Sequence, residues 1–246
     1  MIKDKVAIIT GASSGIGYAT ALALSNAGAK VAIGARRVDR LEELAKKISA
    51  DGGEVFYQKL DVTQRSECEN FAKAVLEKWG SIDILVNNAG LMPLSLFKSL
   101  KVDEWDRMID VNIKGVLYCT GSVILHMKEK KSGHIVNLSS VAGRTVFPTG
   151  TVYCATKHAI TAFSEGLRQE FSARSNIRVT SIEPGVVATE LTDTITDESL
   201  QGFIENAKKM ETLQAGDIAN AILYAVESPS HVNVNEVLIR PTTQER

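Results

Sequence analysis

Short β-branched apolar runs alternate with longer amphipathic stretches along the chain, and this alternation constrains the fold more than any other feature. Residues 6–9 read Val-Ala-Ile-Ile, and a strand with no polar position suits burial on both faces. Further strand candidates are 30–35, 54–60, 82–86, 134–138, 178–182 and 236–239. Helical patterns fill 15–27, 39–50, 65–79, 102–130, 152–175 and 215–227. Strands and helices in turn predict an α/β fold, with about seven mostly parallel strands, helices on both faces and right-handed crossovers. No Pro-, Gly- or Ser-rich linker divides the 246 residues, so a single domain over 1–246 is expected. Within it, residues 186–214 are polar, acidic early and basic late (Lys208, Lys209), and longer than an ordinary connection; they read as a substrate lid. Asp39, with Glu42 at capping-box spacing, and Asp103 are expected helix caps, and Asp217 is expected in a first turn.

Charge and cysteine content exclude several classes. The 28 Lys and Arg against 29 Asp and Glu leave a net charge of −1, which does not suit a phosphate-neutralising nucleic-acid surface. Cys68, Cys119 and Cys154 form no CxxC pair and no metal spacing, as expected of a reduced, cytoplasmic compartment. No unbroken apolar run approaches the roughly 18 residues of a membrane span, and residues 6–9 are too short for a signal-peptide core, so no membrane partner is expected. Asn137-Leu138-Ser139 matches a glycosylation sequon inside an apolar run and reads as coincidence.

The first strand runs into Thr10-Gly11-Ala12-Ser13-Ser14-Gly15-Ile16-Gly17, which opens the first helix. Small residues let the backbone approach a pyrophosphate there, and the unpaired N–H groups and helix dipole favour the anion. The arrangement is that of a dinucleotide-binding (Rossmann) unit, although the spacing is G-x-x-x-G-x-G. The same residues match the G-x-S-x-G nucleophile elbow of serine hydrolases, but only one strand precedes them and no oxyanion-loop motif comes earlier. Past the second strand, Arg36 and Arg37 stand where an acid would bind a free ribose 2′-hydroxyl. Two guanidiniums suit a 2′-phosphate, which points to NADP(H). Tyr153 and Lys157 lie four residues apart, on one helix face. A neighbouring ammonium favours phenolate, and such a tyrosine exchanges a proton with a carbonyl or alcohol oxygen. Ser139 and Ser140 end a strand where parallel sheets place ligands, and Asn112 lies inside an apolar helix where its amide needs partners.

Taken in order, Thr10-Gly11-x-x-x-Gly15-Ile16-Gly17, Asp61-Val62, Asn87-Asn88-Ala89-Gly90, Asn112, Ser140, Tyr153-x-x-x-Lys157 and Pro184-Gly185 resemble the short-chain dehydrogenase/reductase family, from about residue 5 to 240. The resemblance implies a hydride-transferring oxidoreductase that interconverts a small carbonyl and a secondary alcohol. It implies Tyr153 as general acid and base, and Lys157 as the group that lowers the tyrosine pKa and bonds the nicotinamide ribose. Ser140, 13 residues before Tyr153, would donate to the substrate oxygen. Asn112 would hold a proton-relaying water. Gly11, Ser13, Ser14, Gly15, Ile16, Gly17, Asp61, Val62, Asn88, Ala89, Gly90, Pro184, Gly185, Val187 and Thr189 would line the cofactor, with Arg36 and Arg37 marking the NADP-preferring branch. A homotetramer or dimer is implied. Residues 233–242 resemble an NADP-dependent hydroxy-acid and serine dehydrogenase subgroup, which suggests a small polar 3-hydroxy acid, with Arg144 a candidate for its carboxylate. A catalytically silent nucleotide sensor and the serine hydrolase are the competing functions.

Overall fold

A computed structural model describes residues 2–202 and 211–245. Strands β1 (Val6–Thr10), β2 (Lys30–Ala35), β3 (Val55–Lys59), β4 (Ile84–Asn87), β5 (Gly133–Leu138), β6 (Ile177–Pro184) and β7 (Glu236–Ile239) form one sheet in the order β3-β2-β1-β4-β5-β6-β7. Every pairing is parallel, so the mostly parallel expectation becomes an all-parallel sheet. The order reverses between β1 and β4, and an open sheet of this kind leaves a crevice above the carboxyl ends of those two strands.

Strand periodicity splits the core into two layers. Ala7 and Ile9 of β1 face helices α1 (Gly15–Asn26) and α2 (Val38–Ala50) through Ala21, Leu24, Leu41 and Leu44, together with α7 (Ala215–Glu227) through Ile218 and Ile222. Val6 and Ile8 point the other way, toward α3 (Arg65–Trp79) and α5 (Gly115–Lys130) through Phe71, Val75, Cys119 and Val123. Helix α6 (Thr151–Ser175) adds Leu167 and Phe171 to this second layer. Each strand residue thus has an apolar neighbour on its own side, which explains runs without polar alternation.

The predicted helix over 102–130 is interrupted. It consists of α4 (Val102–Ile109), a π turn (Asp110–Lys114) and α5. Within Val102–Lys130 an 18-residue window reaches a mean hydropathy of 1.3, enough by length and composition for a membrane span, although the sequence expectation finds no unbroken run of that length. That expectation counted unbroken apolar runs, whereas hydropathy averages across interruptions such as Thr120 and Ser122. Here the apolar side packs on the sheet through Val116, Cys119, Val123 and Met127. Two caps also differ. Arg37 precedes α2 and Lys101 precedes α4, neither with a side-chain cap, so Asp39 and Asp103 lie within the first turn. Both acids are placed to act on the helix dipole instead. Asp217 does form a capping box with Gln214.

Candidate active site

The site is assembled at the carboxyl ends of β1, β4, β5 and β6. At the end of β1, Thr10 ties two strands together: its hydroxyl accepts from the Asn88 and Ala89 backbone N–H groups at 3.0 and 3.1 Å. The Asn88 amide returns the contact, donating to the Thr10 and Gly11 carbonyls at 2.9 and 3.2 Å. Gly11 adopts φ +66°, and a Cβ there would sit 2.8 Å from Ala89 Cα; a Cβ on Gly17 would sit 2.4 Å from the Asn88 amide nitrogen. The glycines are needed because the Asn88-Ala89-Gly90 segment presses against the loop. Asn88 therefore braces the cradle from below.

Helix α1 begins after Ser14 with no side-chain cap and no acid in its first turn. Its leading N–H groups are left for an external acceptor, the condition a phosphate satisfies. The Arg37 guanidinium closes this end, donating to the Ser13 hydroxyl at 3.1 and 3.2 Å and to the Ser14 hydroxyl at 2.7 Å. Arg36 is exposed beside it. The donor set fits an anionic dinucleotide and does not fit a hydrolase elbow. Ser13 faces an arginine, while His126, His134 and His158 bond to the Ile82 N–H, Thr180 and the Cys154 carbonyl. Asp61 turns its carboxylate onto the Thr63 N–H and hydroxyl, and Val62 packs beneath Gly115. Gly185 bonds to β7 through Ile239, Val187 bridges to Leu213, and Thr189 leans on Gly15, so Pro184-Gly185 and the following turn form the far wall.

Ser139 and Ser140 have divergent fates. The Ser139 hydroxyl donates to the Lys157 carbonyl and meets Thr161, a structural role. The Ser140 hydroxyl reaches the Pro184 carbonyl at 3.3 Å and accepts from the Ala142 N–H, and it lies against the Tyr153 phenol, whose ionised form it favours. Tyr153 packs among Leu91, Leu94, Met108 and Ala142 and is only 6% exposed. Burial pushes its phenol up to about 12. Lys157 stands behind the ring, its Nζ 5.7 Å from the ring centre, and donates to the Leu138 carbonyl at 2.8 Å. Burial pulls this ammonium down to about 8. Desolvation dominates both groups, and Ser140 offsets it at the phenol.

Asn112 lies in the π turn and is 2% exposed. Its side chain accepts from the Leu91 N–H and donates to the Leu91 carbonyl and to Thr156. It clamps the 88–91 segment to α6 one residue before Lys157. Arg144 is not an open carboxylate receptor: its guanidinium holds the fully buried Glu183 at 2.8 and 3.2 Å and also Glu236. Of the 186–214 segment, residues 203–210, with Lys208 and Lys209, lie outside the described residues. The preceding part packs against residues 92–99, with Thr194 accepting from the Met92 N–H at 3.2 Å and Asp197 accepting from Ser99 at 2.9 Å. Two participants had no sequence signal. Glu190 takes Arg37 at 2.8 Å and Arg40 at 2.5 Å, and neither Glu190 nor Arg40 belongs to a recognisable motif.

Comparison with known proteins agrees with this geometry. The family model described as short chain dehydrogenase matches residues 5–200. An uncharacterized oxidoreductase of Staphylococcus saprophyticus is 50% identical over 244 residues, covering 99% of this chain and 98% of that protein. The closed form of a serine dehydrogenase complexed with NADP+ superposes with a TM-score of 0.91 at 34% identity, covering 98% of this chain and 96% of the other. An alcohol dehydrogenase from the archaeon Thermococcus sibiricus complexed with 5-hydroxy-NADP gives 0.88 at 33% identity, covering 99% of both chains. The chain therefore belongs to the short chain dehydrogenase family and is an oxidoreductase of that family.

Proposed function

We propose that the protein interconverts a carbonyl and a secondary alcohol with NADP(H), using Tyr153 as the proton-exchanging group. The observation that carries this reading is the convergence of Ser140, Tyr153 and Lys157, all buried, beside an uncapped helix N-terminus at the sheet's topological switch point. The nicotinamide cofactor supplies or accepts the hydride. Ser140 donates to the substrate oxygen and steadies the negative charge that develops on it. Tyr153 delivers its phenolic proton to that oxygen in reduction and takes one back in oxidation. Lys157 supplies a fixed cation behind the phenol, anchored on Leu138. Asn112 holds the 88–91 segment and α6 in register and binds the proton-relaying water.

The Arg37 guanidinium on Ser13 and Ser14, with Arg36 exposed next to it in the chain, supports the preference for a 2′-phosphorylated cofactor. The similarity to a serine dehydrogenase supports a small polar 3-hydroxy acid as substrate, with a receptor other than Arg144. A cytoplasmic homo-oligomer, tetramer or dimer, completes the reading. The test is turnover, followed by dihydronicotinamide absorbance, over a panel of ketones, aldehydes and hydroxy acids with both nicotinamide cofactors. NADP(H)-linked turnover with at least one carbonyl–alcohol pair is expected, with hydroxy acids preferred over neutral alcohols. An inert panel, or equal use of NAD(H), would contradict the reading.

A further inference from the structure

Glu190 opens the 3₁₀ turn Glu190–Thr194, immediately after Thr189, yet its carboxylate reaches back across the cofactor crevice. One oxygen lies 2.8 Å from Arg37 Nη1 and the other 2.5 Å from Arg40 Nη1. The Ser14 hydroxyl also favours the ionised carboxylate. Arg37 in turn donates to the Ser13 and Ser14 hydroxyls. A single carboxylate thus sits amid two guanidiniums and a hydroxyl, at the end of the cradle where β2 gives way to α2. The pairing holds Glu190 down to about 2, so it is an anion at any ordinary pH.

These donors are the set that would bind the 2′-phosphate of an NADP-type cofactor. Both anions cannot keep them. A phosphate monoester carries about −1.5 to −2 charge and three acceptor oxygens, against one charge and two oxygens for the carboxylate. Two anions held within a few ångströms repel each other, and three of the Arg37 N–H groups are already committed to Ser13 and Ser14. A nucleotide with a free 2′-hydroxyl brings no such conflict and leaves the carboxylate where it is.

Resting on the NADP(H) reading, we infer that Glu190 is an internal stand-in for the 2′-phosphate: a specificity-determining residue that holds Arg37 and Arg40 and must be displaced when a 2′-phosphorylated nucleotide binds. Arg40 joins Arg37 as a ligand for that phosphate. The displaced carboxylate belongs to the turn that also carries Thr194, which accepts from Met92 N–H on the substrate side. The cofactor's 2′ group is thereby linked to the segment that packs against residues 92–99.

The test uses calorimetric titration of the whole protein with 2′,5′-ADP and with 5′-AMP. These probes differ only in the 2′-phosphate, and neither carries a nicotinamide, so binding is read apart from turnover. Glu190 is 44% exposed at its side chain, so Glu190→Gln and Glu190→Ala disturb no core. Both variants are expected to bind 2′,5′-ADP about fivefold more tightly, the scale of an exposed ion pair no longer competing. Their 5′-AMP affinity is expected to stay within about twofold, below the scale of one such pair. Arg40→Ala is expected to weaken 2′,5′-ADP alone. Unchanged or weaker 2′,5′-ADP binding in both Glu190 variants, or equal tightening of the two nucleotides, would overturn the inference. The wild-type preference between the two nucleotides tests the cofactor reading separately. Loss of that preference with selective tightening in the variants would sink NADP(H) and spare Glu190; a clear preference with inert variants would do the reverse.

Discussion

The two ends of the crevice are built on opposite principles. At the chemical end, Ser140, Tyr153, Lys157 and Asn112 are each 8% exposed or less, and backbone carbonyls or neighbouring hydroxyls fix their polar atoms. At the selecting end, the side chains of Arg37, Arg40 and Glu190 are each more than 40% exposed and are held by one another and by the Ser13 and Ser14 hydroxyls. Buried groups suffer desolvation, so their pKa values move far and their geometry is costly to change. Exposed ion pairs are worth little individually and are easily exchanged for a ligand's charge. Chemistry is thus placed where the protein fixes it, and nucleotide choice where a few surface side chains can alter it.

Substitutions at the chemical end should therefore change turnover by orders of magnitude, and those at the selecting end should redistribute affinity. Ser140→Ala removes one preorganised donor to the substrate oxygen and should lower kcat by about 10²–10³, with cofactor affinity retained. Steady-state kinetics alongside cofactor titration separates the two effects. A loss confined to KM would place Ser140 outside the transition state. The double variant Arg36→Ala with Arg37→Ala should raise the NADP(H) KM by about 10- to 100-fold, the worth of one or two charged hydrogen bonds, and leave NAD(H) nearly unaffected. An unchanged NADP(H) KM would erase the distinction between the two ends.

Burial at the chemical end also predicts a stability cost. The folded-state pKa of Lys157 is depressed to about 8 from 10.5, so between those values the unfolded chain carries a proton that the folded one lacks. Stability therefore rises with pH across that window, and the penalty is fully present below about pH 8. Lys157→Met should be inactive yet more stable near neutrality by about 1–3 kcal/mol, less whatever the orphaned Leu138 carbonyl costs. Denaturant melts of both proteins against pH should show this gain shrink as pH climbs toward 10.5. A pH-independent difference would mean that the ammonium is not desolvated. The smallest expected effect is on rate against pH: carbonyl reduction needs the phenol and should decline as pH rises, while alcohol oxidation should gain.

Much of the chemical end is legible in the chain, because each residue there sits in a strand–turn–helix context that constrains it. Ser140 follows β5 and caps the next turn, and Tyr153 and Lys157 share a face of α6 by helical spacing. The sheet is legible for the same reason, since strands buried on both faces leave uninterrupted apolar runs. The selecting end is less so. Arg36 and Arg37 follow β2 and are visible by position, but Glu190 meets Arg37 across 153 residues, and no local pattern encodes that contact. Arg144 is a carboxylate candidate by sequence, but a surface-like arginine gives no sign that Glu183, in an apolar strand, will claim it. The π turn around Asn112 escaped because one extra residue in a helix leaves its hydrophobic periodicity nearly intact.

The central claim is that the buried Tyr153 hydroxyl exchanges the proton that accompanies hydride transfer. Tyr153→Phe keeps the ring and its packing and deletes only that oxygen. Measured together, NADPH affinity should stay close to wild type while carbonyl reduction falls by about 10²–10⁴. Reduction at the wild-type rate by this variant would contradict the account.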